Sequence, residues 1–231
     1  MLDITGNDIK DLNDSDLRSL IGLLCEAELS CNSLPTAGVT WGGHQNAADG
    51  GIDVRVEVTE APHQDSYIPR AVTLFQVKKP DMPRAEILKE MKPNGELRKE
   101  IKLLVGSSGD YIIISSQGST ADSSLRNRVN AMREALKKLP DASNIKVDFY
   151  DRERVAGWVR SHPAIILWIR DKLGRPIEGW QSYGNWANCP DGVEDVYLSD
   201  DDIRFNNVSS SNPEGMSGSD GFKAIGKLIN D

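Results

Sequence analysis

Tyr111, Ile112, Ile113 and Ile114 form an unbroken apolar run, opened by Gly109 and Asp110 and closed by Ser115, Ser116 and Gln117. A run of this length between turn residues reads as a strand buried on both faces. A sheet containing such a strand must be covered on both sides, and the flanking sequence supplies the covers. Before it, PRAEILKEMKPNGELRKEIKLLV reads as two helical pieces broken at Pro93-Asn94-Gly95, the second over about 96–105. After it, 122–139 reads as a helix, 145–150 alternates as a strand, and 151–158 resumes helix. Helices interleaved with strands predict an α/β protein with both sheet faces covered. At 231 residues, 39% hydrophobic and 27% charged, the chain is long and apolar enough for one soluble domain with an appendage.

Upstream, Asp14, Ser15 and Asp16 read as a helix start leading into LRSLIGLLCEAEL. Leu17, Leu20, Ile21 and Leu24 share one face; Glu28 falls near its centre, whereas Glu26 points almost oppositely. A carboxylate on an apolar face needs a partner, because burying it unpaired is costly; a glutamate at a helix end can instead reach solvent. A short strand is expected at 39–41. In 52–58, Ile52, Val54, Val56 and Val58 alternate with Asp53, Arg55 and Glu57, the pattern of a half-buried strand. The next run, 72–78, is rich in β-branched and apolar residues and closes on Gln76, Val77 and Lys78. Two adjacent strands therefore offer the Asp53 carboxylate near the start of one, and an amide and an amine at the end of the other. Carboxylate and amide oxygens suit a hard divalent cation. A neighbouring lysine stabilises charge developing on a phosphate under attack. Asp49 reads as a turn-former or supporting acid. His44 reads as a metal or general-base candidate, or simply as a polar loop residue.

The net charge of −8 does not point to a polyanionic partner, but the charge is uneven. Residues 70–102 hold nine Lys/Arg against five Asp/Glu, and 126–138 hold five against one. Local basic surface governs phosphate contact more than the total does, so the balance permits a nucleic-acid partner without indicating one. The helical charges also read as solvated faces laced with opposite signs. The three cysteines, Cys25, Cys31 and Cys189, lack a CxxC spacing, which argues against a disulfide framework or a structural zinc site. With no secretory signal and no membrane-length apolar run, a cytoplasmic location and no membrane partner are expected.

The GID–Gln-x-Lys set, Asp53 followed by Gln76 and Lys78, resembles the PD-(D/E)XK nuclease active site in its Asp…Gln-x-Lys form, typical of Mrr-like restriction endonucleases. The words TWGGHQNAADGGIDVRV, with WIRDKLGRPIEGW…GNW…YL.DD further on, resemble more narrowly the nuclease domain at the N-terminus of bacterial anti-phage STAND NTPases. The likeness spans nearly the whole chain and is weakest over 1–14 and 59–70. It implies a restriction-endonuclease-like αβββαβ core with a central mixed sheet flanked by helices, matching the first six elements read above. It implies a Mg²⁺-dependent endodeoxyribonuclease, with Mn²⁺ able to substitute, acting on duplex DNA with low sequence specificity. Asp53, Gln76 and Glu28 would hold the metal, Glu26 being the fallback for the helix acid, and Lys78 would complete the catalytic set.

The expected organisation is a nuclease-like domain over 1–163 and an irregular, aromatic-rich extension over 164–205, packing on that domain or on a following one. A flexible linker and the start of a helix follow over 206–231. Trp168, Trp180, Tyr183, Trp186 and Tyr197 are read as packing residues rather than base-stacking ones, because acidic side chains surround them. No GxxxxGK[ST] occurs. In the resembled proteins an NTPase domain follows this segment, so homo-oligomerisation through that domain is expected. A non-catalytic nucleic-acid- or protein-binding module of the same fold, and an RNA-directed nuclease, are the alternatives.

Overall fold

The structure is a computed structural model that describes residues 3–41, 51–63, 65–175, 204–205 and 216–217. Two compact units are present, Met1–Ser182 and Tyr183–Asp231. In the second, the described residues are two short antiparallel strands, β6 (Arg204–Phe205) and β7 (Met216–Ser217). Asp49, His44, Trp180, Tyr183, Trp186 and Tyr197 lie outside the described residues.

The first unit is α/β, built on a five-stranded mixed sheet flanked by helices. Its strands, in spatial and chain order, are β1 (Val39–Trp41), β2 (Val54–Glu57), β3 (Val72–Lys78), β4 (Asp110–Ser115) and β5 (Lys146–Asp151). β1, β2 and β3 run antiparallel in turn; β3, β4 and β5 run parallel. The parallel pairs require crossovers. α3 (Arg84–Met91) and α4 (Lys99–Ser107) lie between β3 and β4, and α5 (Asp122–Leu136) between β4 and β5. α1 (Gly6–Asp11), α2 (Asp14–Cys31), α6 (Arg152–Arg160) and α7 (Pro163–Lys172) complete the unit.

β4 is buried along its whole length, as its apolar run predicts. Its alternation divides the core into two. Ile112 and Ile114 join Phe75, Val77 and Tyr150 beneath α1, α2, α6 and α7. Tyr111 and Ile113 join Leu74, Val147 and Phe149 beneath α3, α4 and α5. α7 contributes Ile165, Ile166 and Ile169 to the first core. Gly22 of α2 lies against the Trp41 ring, which occupies the space a Cβ would need. That close approach seats the short edge strand on the helix.

Three local departures from the sequence reading have physical causes. Helix α1 was not expected; it is short, and Thr5 and Asp8 close its first turn reciprocally (Thr5 N–H to Asp8 Oδ2, 2.9 Å). The break between α3 and α4 falls where expected, with Asn94 and Gly95 both at positive φ (59° and 84°), but α4 begins only at Lys99. Ile52 does not continue the β2 alternation. Val54, Val56 and Val58 pack into the first core, whereas Ile52 belongs to the second. The chain bends at Asp53, so this carboxylate stands at the strand entrance, outside the regular ladder.

Candidate active site at the β2–β3 strand ends

The bend before β2 depends on Gly51, whose φ of 77° lies in the left-handed region that glycine tolerates. A Cβ there would also fall on the Arg98 guanidinium. Past the bend, the Asp53 backbone N–H donates to Phe75 O at 3.0 Å, fixing the carboxylate against β3. Asp53 Oδ2 then accepts from Gln76 Nε2 at 2.6 Å and from Val77 N–H at 2.8 Å. The other oxygen, Oδ1, lies 3.1 Å from Arg18 Nε of α2, an ionic contact without a well-directed hydrogen bond. Arg18 also pairs with Asp14 one turn back. Burial pushes the Asp53 carboxyl above the ordinary aspartate range, against the Val77 N–H and the charges of Arg18 and Lys78.

Gln76 is 2% exposed. Its NH₂ must face Asp53, because a carboxylate only accepts, and this leaves Oε1 buried without a hydrogen-bond partner among the described residues. Leaving a buried acceptor unpaired costs about 1–3 kcal/mol. Lys78 shares the Gln76 face by strand alternation. Its Nζ is 3.0 Å from Glu90 Oε2 of α3, while Glu90 Oε1 receives Arg98 Nη2 at 2.6 Å. Arg98 Nε donates to the Glu90 carbonyl at 2.6 Å. Glu90 therefore anchors both cations. Sequence reasoning missed it because its spacing matches any acid on a charged helix.

Asp53, Gln76 and Lys78 thus gather at one end of the β2–β3 pair. Glu28 does not join them, which corrects the expectation for the helix acid. The helical phase holds, since Glu28 is buried and Glu26 only partly so. However, Arg18 is the α2 residue that reaches Asp53, and Glu28 lies ten residues further along the same helix, about 15 Å away. Its carboxylate is committed elsewhere: Ser66 Oγ donates at 2.6 Å, Trp158 Nε1 at 3.0 Å and His162 Nε2 at 2.9 Å. Burial alone would raise the Glu28 carboxyl; the hydrogen bonds from His162, Ser66 and Trp158 outweigh it and hold the group below the ordinary glutamate value. Glu26, the fallback, accepts from Trp41 Nε1 at 2.7 Å and is likewise not at the site. The α2 acid whose charge acts on Asp53 is Asp14, which the sequence reading treated as a helix-start residue.

The expected basic stretches change meaning as well. Arg128 is buried, held by Asp81 (2.7 Å) and the carbonyls of Ser119 and Met82, with its guanidinium 4.9 Å over the Phe149 ring. These contacts tie α5 to the loops after β3 and β4. Arg126 pairs with Asp122 on the exposed face of α5.

The donors fit a small hard cation in kind: a carboxylate and an unpartnered buried amide oxygen, both oxygen ligands. Among the described residues, no group of three or more His, Cys, Asp or Glu is arranged to hold a metal. No described helix is long and apolar enough to cross a membrane. Comparison with known protein families, curated proteins and solved structures gave no match to this chain.

Proposed function

We propose that this chain is a metal-dependent nuclease domain of the PD-(D/E)XK kind, with a restriction-endonuclease-like core. In this reading it hydrolyses phosphodiester bonds of duplex DNA as the effector of an anti-phage defence protein, clustered by a following NTPase domain. The observation that carries the reading is the meeting of Asp53, Gln76 and Lys78, with Gln76 Oε1 buried and unsatisfied beside the Asp53 carboxylate. The motif residues converge on one point, and the Gln76 oxygen left without a partner among the described residues is a hard donor.

Asp53 and the Gln76 amide oxygen would hold Mg²⁺ or Mn²⁺, which when bound supplies a Lewis acid for the phosphate and a more acidic water. Lys78, steadied by Glu90, meets the negative charge that grows on the phosphate oxygens during attack. Gln76 is neutral where a second carboxylate would add charge, so binding of the ion in the absence of DNA is expected to be weak. Arg18 must leave Asp53 Oδ1 for that oxygen to serve as a ligand.

The test is plasmid nicking in Mg²⁺ by the chain and by its Asp53→Asn and Lys78→Ala variants. Each substitution should lower the rate by about 100-fold or more, the loss seen when one transition-state contact is removed. Nicking by either variant at the parent rate overturns the assignment. The second reading, a binding module without catalysis, is favoured by one observation: a guanidinium already neutralises Asp53. It predicts DNA retention without nicking whether or not Mg²⁺ is present. Parallel reactions on RNA separate the two nuclease readings.

A further inference from the structure

Away from the strand ends, three side chains with complementary chemistry stand in line. Cys31, the last residue of α2, is exposed, and its Sγ lies 3.7 Å from His162 Nδ1, within sulfur hydrogen-bond range. His162 Nε2 lies 2.9 Å from Glu28 Oε2, and both of these residues are buried. Ser66 and Trp158 complete the Glu28 shell.

The geometry fixes the protons. Glu28 receives three donors and is held in its ionised form, so it can only accept. His162 must then carry hydrogen on Nε2. In the neutral ring, Nδ1 is left as a lone pair facing the Cys31 sulfur. A thiol, an imidazole whose free nitrogen meets it, and a carboxylate that orients the imidazole and supports its charge form the arrangement that activates a nucleophile. The α2 carbonyls near Cys31 oppose negative charge on the sulfur. His162 stands against that effect as the residue preceding the first turn of α7. The fold holds the ring through Glu28 and through the His162 backbone N–H, which donates to Val159 O at 2.9 Å.

We propose that Cys31, His162 and Glu28 form a thiol–disulfide exchange site whose substrates are low-molecular-weight disulfides. The Cys31 S–H proton passes to His162 Nδ1 as the sulfur attacks one sulfur of the disulfide. The S–S bond breaks, its electron pair leaves on the other sulfur, and that thiolate recovers the proton from His162. The product is a mixed disulfide on Cys31 and one free thiol, with no oxidant other than the disulfide itself. The proposal is independent of the nuclease reading.

The test uses the full chain carrying Cys189→Ser, so that the exposed Cys31 and the fully buried Cys25 are the remaining thiols. The probe is 5,5′-dithiobis(2-nitrobenzoate) at neutral pH, with thionitrobenzoate release as the readout. The folded chain should release one equivalent about tenfold faster than the same chain unfolded in urea, a modest share of what a positioned general base contributes. Mass spectrometry should place the adduct on Cys31, and Cys31→Ser should abolish the fast phase. His162→Gln should reduce the folded rate to that of the unfolded chain. A folded rate no greater than the unfolded one overturns the proposal. So does a folded His162→Gln chain that reacts as fast as its parent. Should that variant fail to fold, the folded-against-unfolded comparison with His162 intact decides.

Discussion

Arg18 Nε sits 3.1 Å from Asp53 Oδ1, on the same carboxylate whose other oxygen receives Gln76 and Val77. The side chain that a metal would need is thus already charge-balanced by a cation from α2. Replacing Arg18 with Gln removes that competitor. Mn²⁺ binding, measured by calorimetry on the alkaline side of Asp53 titration, should tighten by about three- to tenfold, the equivalent of an ion pair worth about 1 kcal/mol. Because the Arg18 charge also holds the raised Asp53 carboxyl down, the gain should shrink as pH falls and protons compete with the ion for the freed carboxylate. Weaker binding by the variant at alkaline pH would show that Arg18 supports the ion.

Glu90 grips Lys78 and Arg98 with separate oxygens, so Glu90→Gln keeps the shape of the side chain but loosens the ammonium. On the nuclease reading, cleavage at saturating DNA should fall about tenfold, with little change in the DNA concentration giving half the maximal rate. A change confined to that concentration would place Lys78 in DNA binding alone.

The fold was legible where packing repeats a simple period. The apolar run of β4 and the alternation of β5 depend on burial that adjacent residues disclose, and the Pro93-Asn94-Gly95 break follows from backbone conformation. Asp53, Gln76 and Lys78 were legible because neighbouring strands bring short sequence words together. Glu90 was not, because the link to Lys78 runs between a helix and a strand and leaves no spacing rule. Glu28 was half legible: periodicity gives the buried face of α2, but not which end of that helix meets Asp53. His162 and Cys31 are 131 positions apart, and no local pattern foretells their contact.

The Glu28 contacts predict a role in stability. Glu28→Ala would leave the buried Trp158 and His162 donors and the part-buried Ser66 hydroxyl without their acceptor, costing about 3 kcal/mol or more. Glu26→Ala removes one hydrogen bond to Trp41 and should cost about 1 kcal/mol. Chemical denaturation ranks the two. Equal, small losses would mean that the Glu28 donors find other partners.

At the opposite end of β4 from Ser115, Asp110 is buried, with Arg70 Nε 3.0 Å from Oδ1 but, among the described residues, no well-directed hydrogen bond to either oxygen. Burial pushes its carboxyl up to about 6, against the charges of Arg70 and Lys146. The folded state therefore holds this proton more tightly than the unfolded chain, where aspartate titrates near about 4. Between pH of about 4 and 6 the folded state binds more protons, so the Asp110 contribution to stability falls as pH rises through that window. The whole effect is at most about 3 kcal/mol. Asp110→Asn keeps the size and removes the titration. Subtracting the parent unfolding free energy from that of the variant at each pH cancels the other acids, including Glu28, whose lowered value acts in the opposite sense. The difference should move in favour of the Asp110→Asn variant from pH of about 4 to 6 and then level off. A difference that stays flat across the window would mean that Arg70 keeps Asp110 ionised throughout.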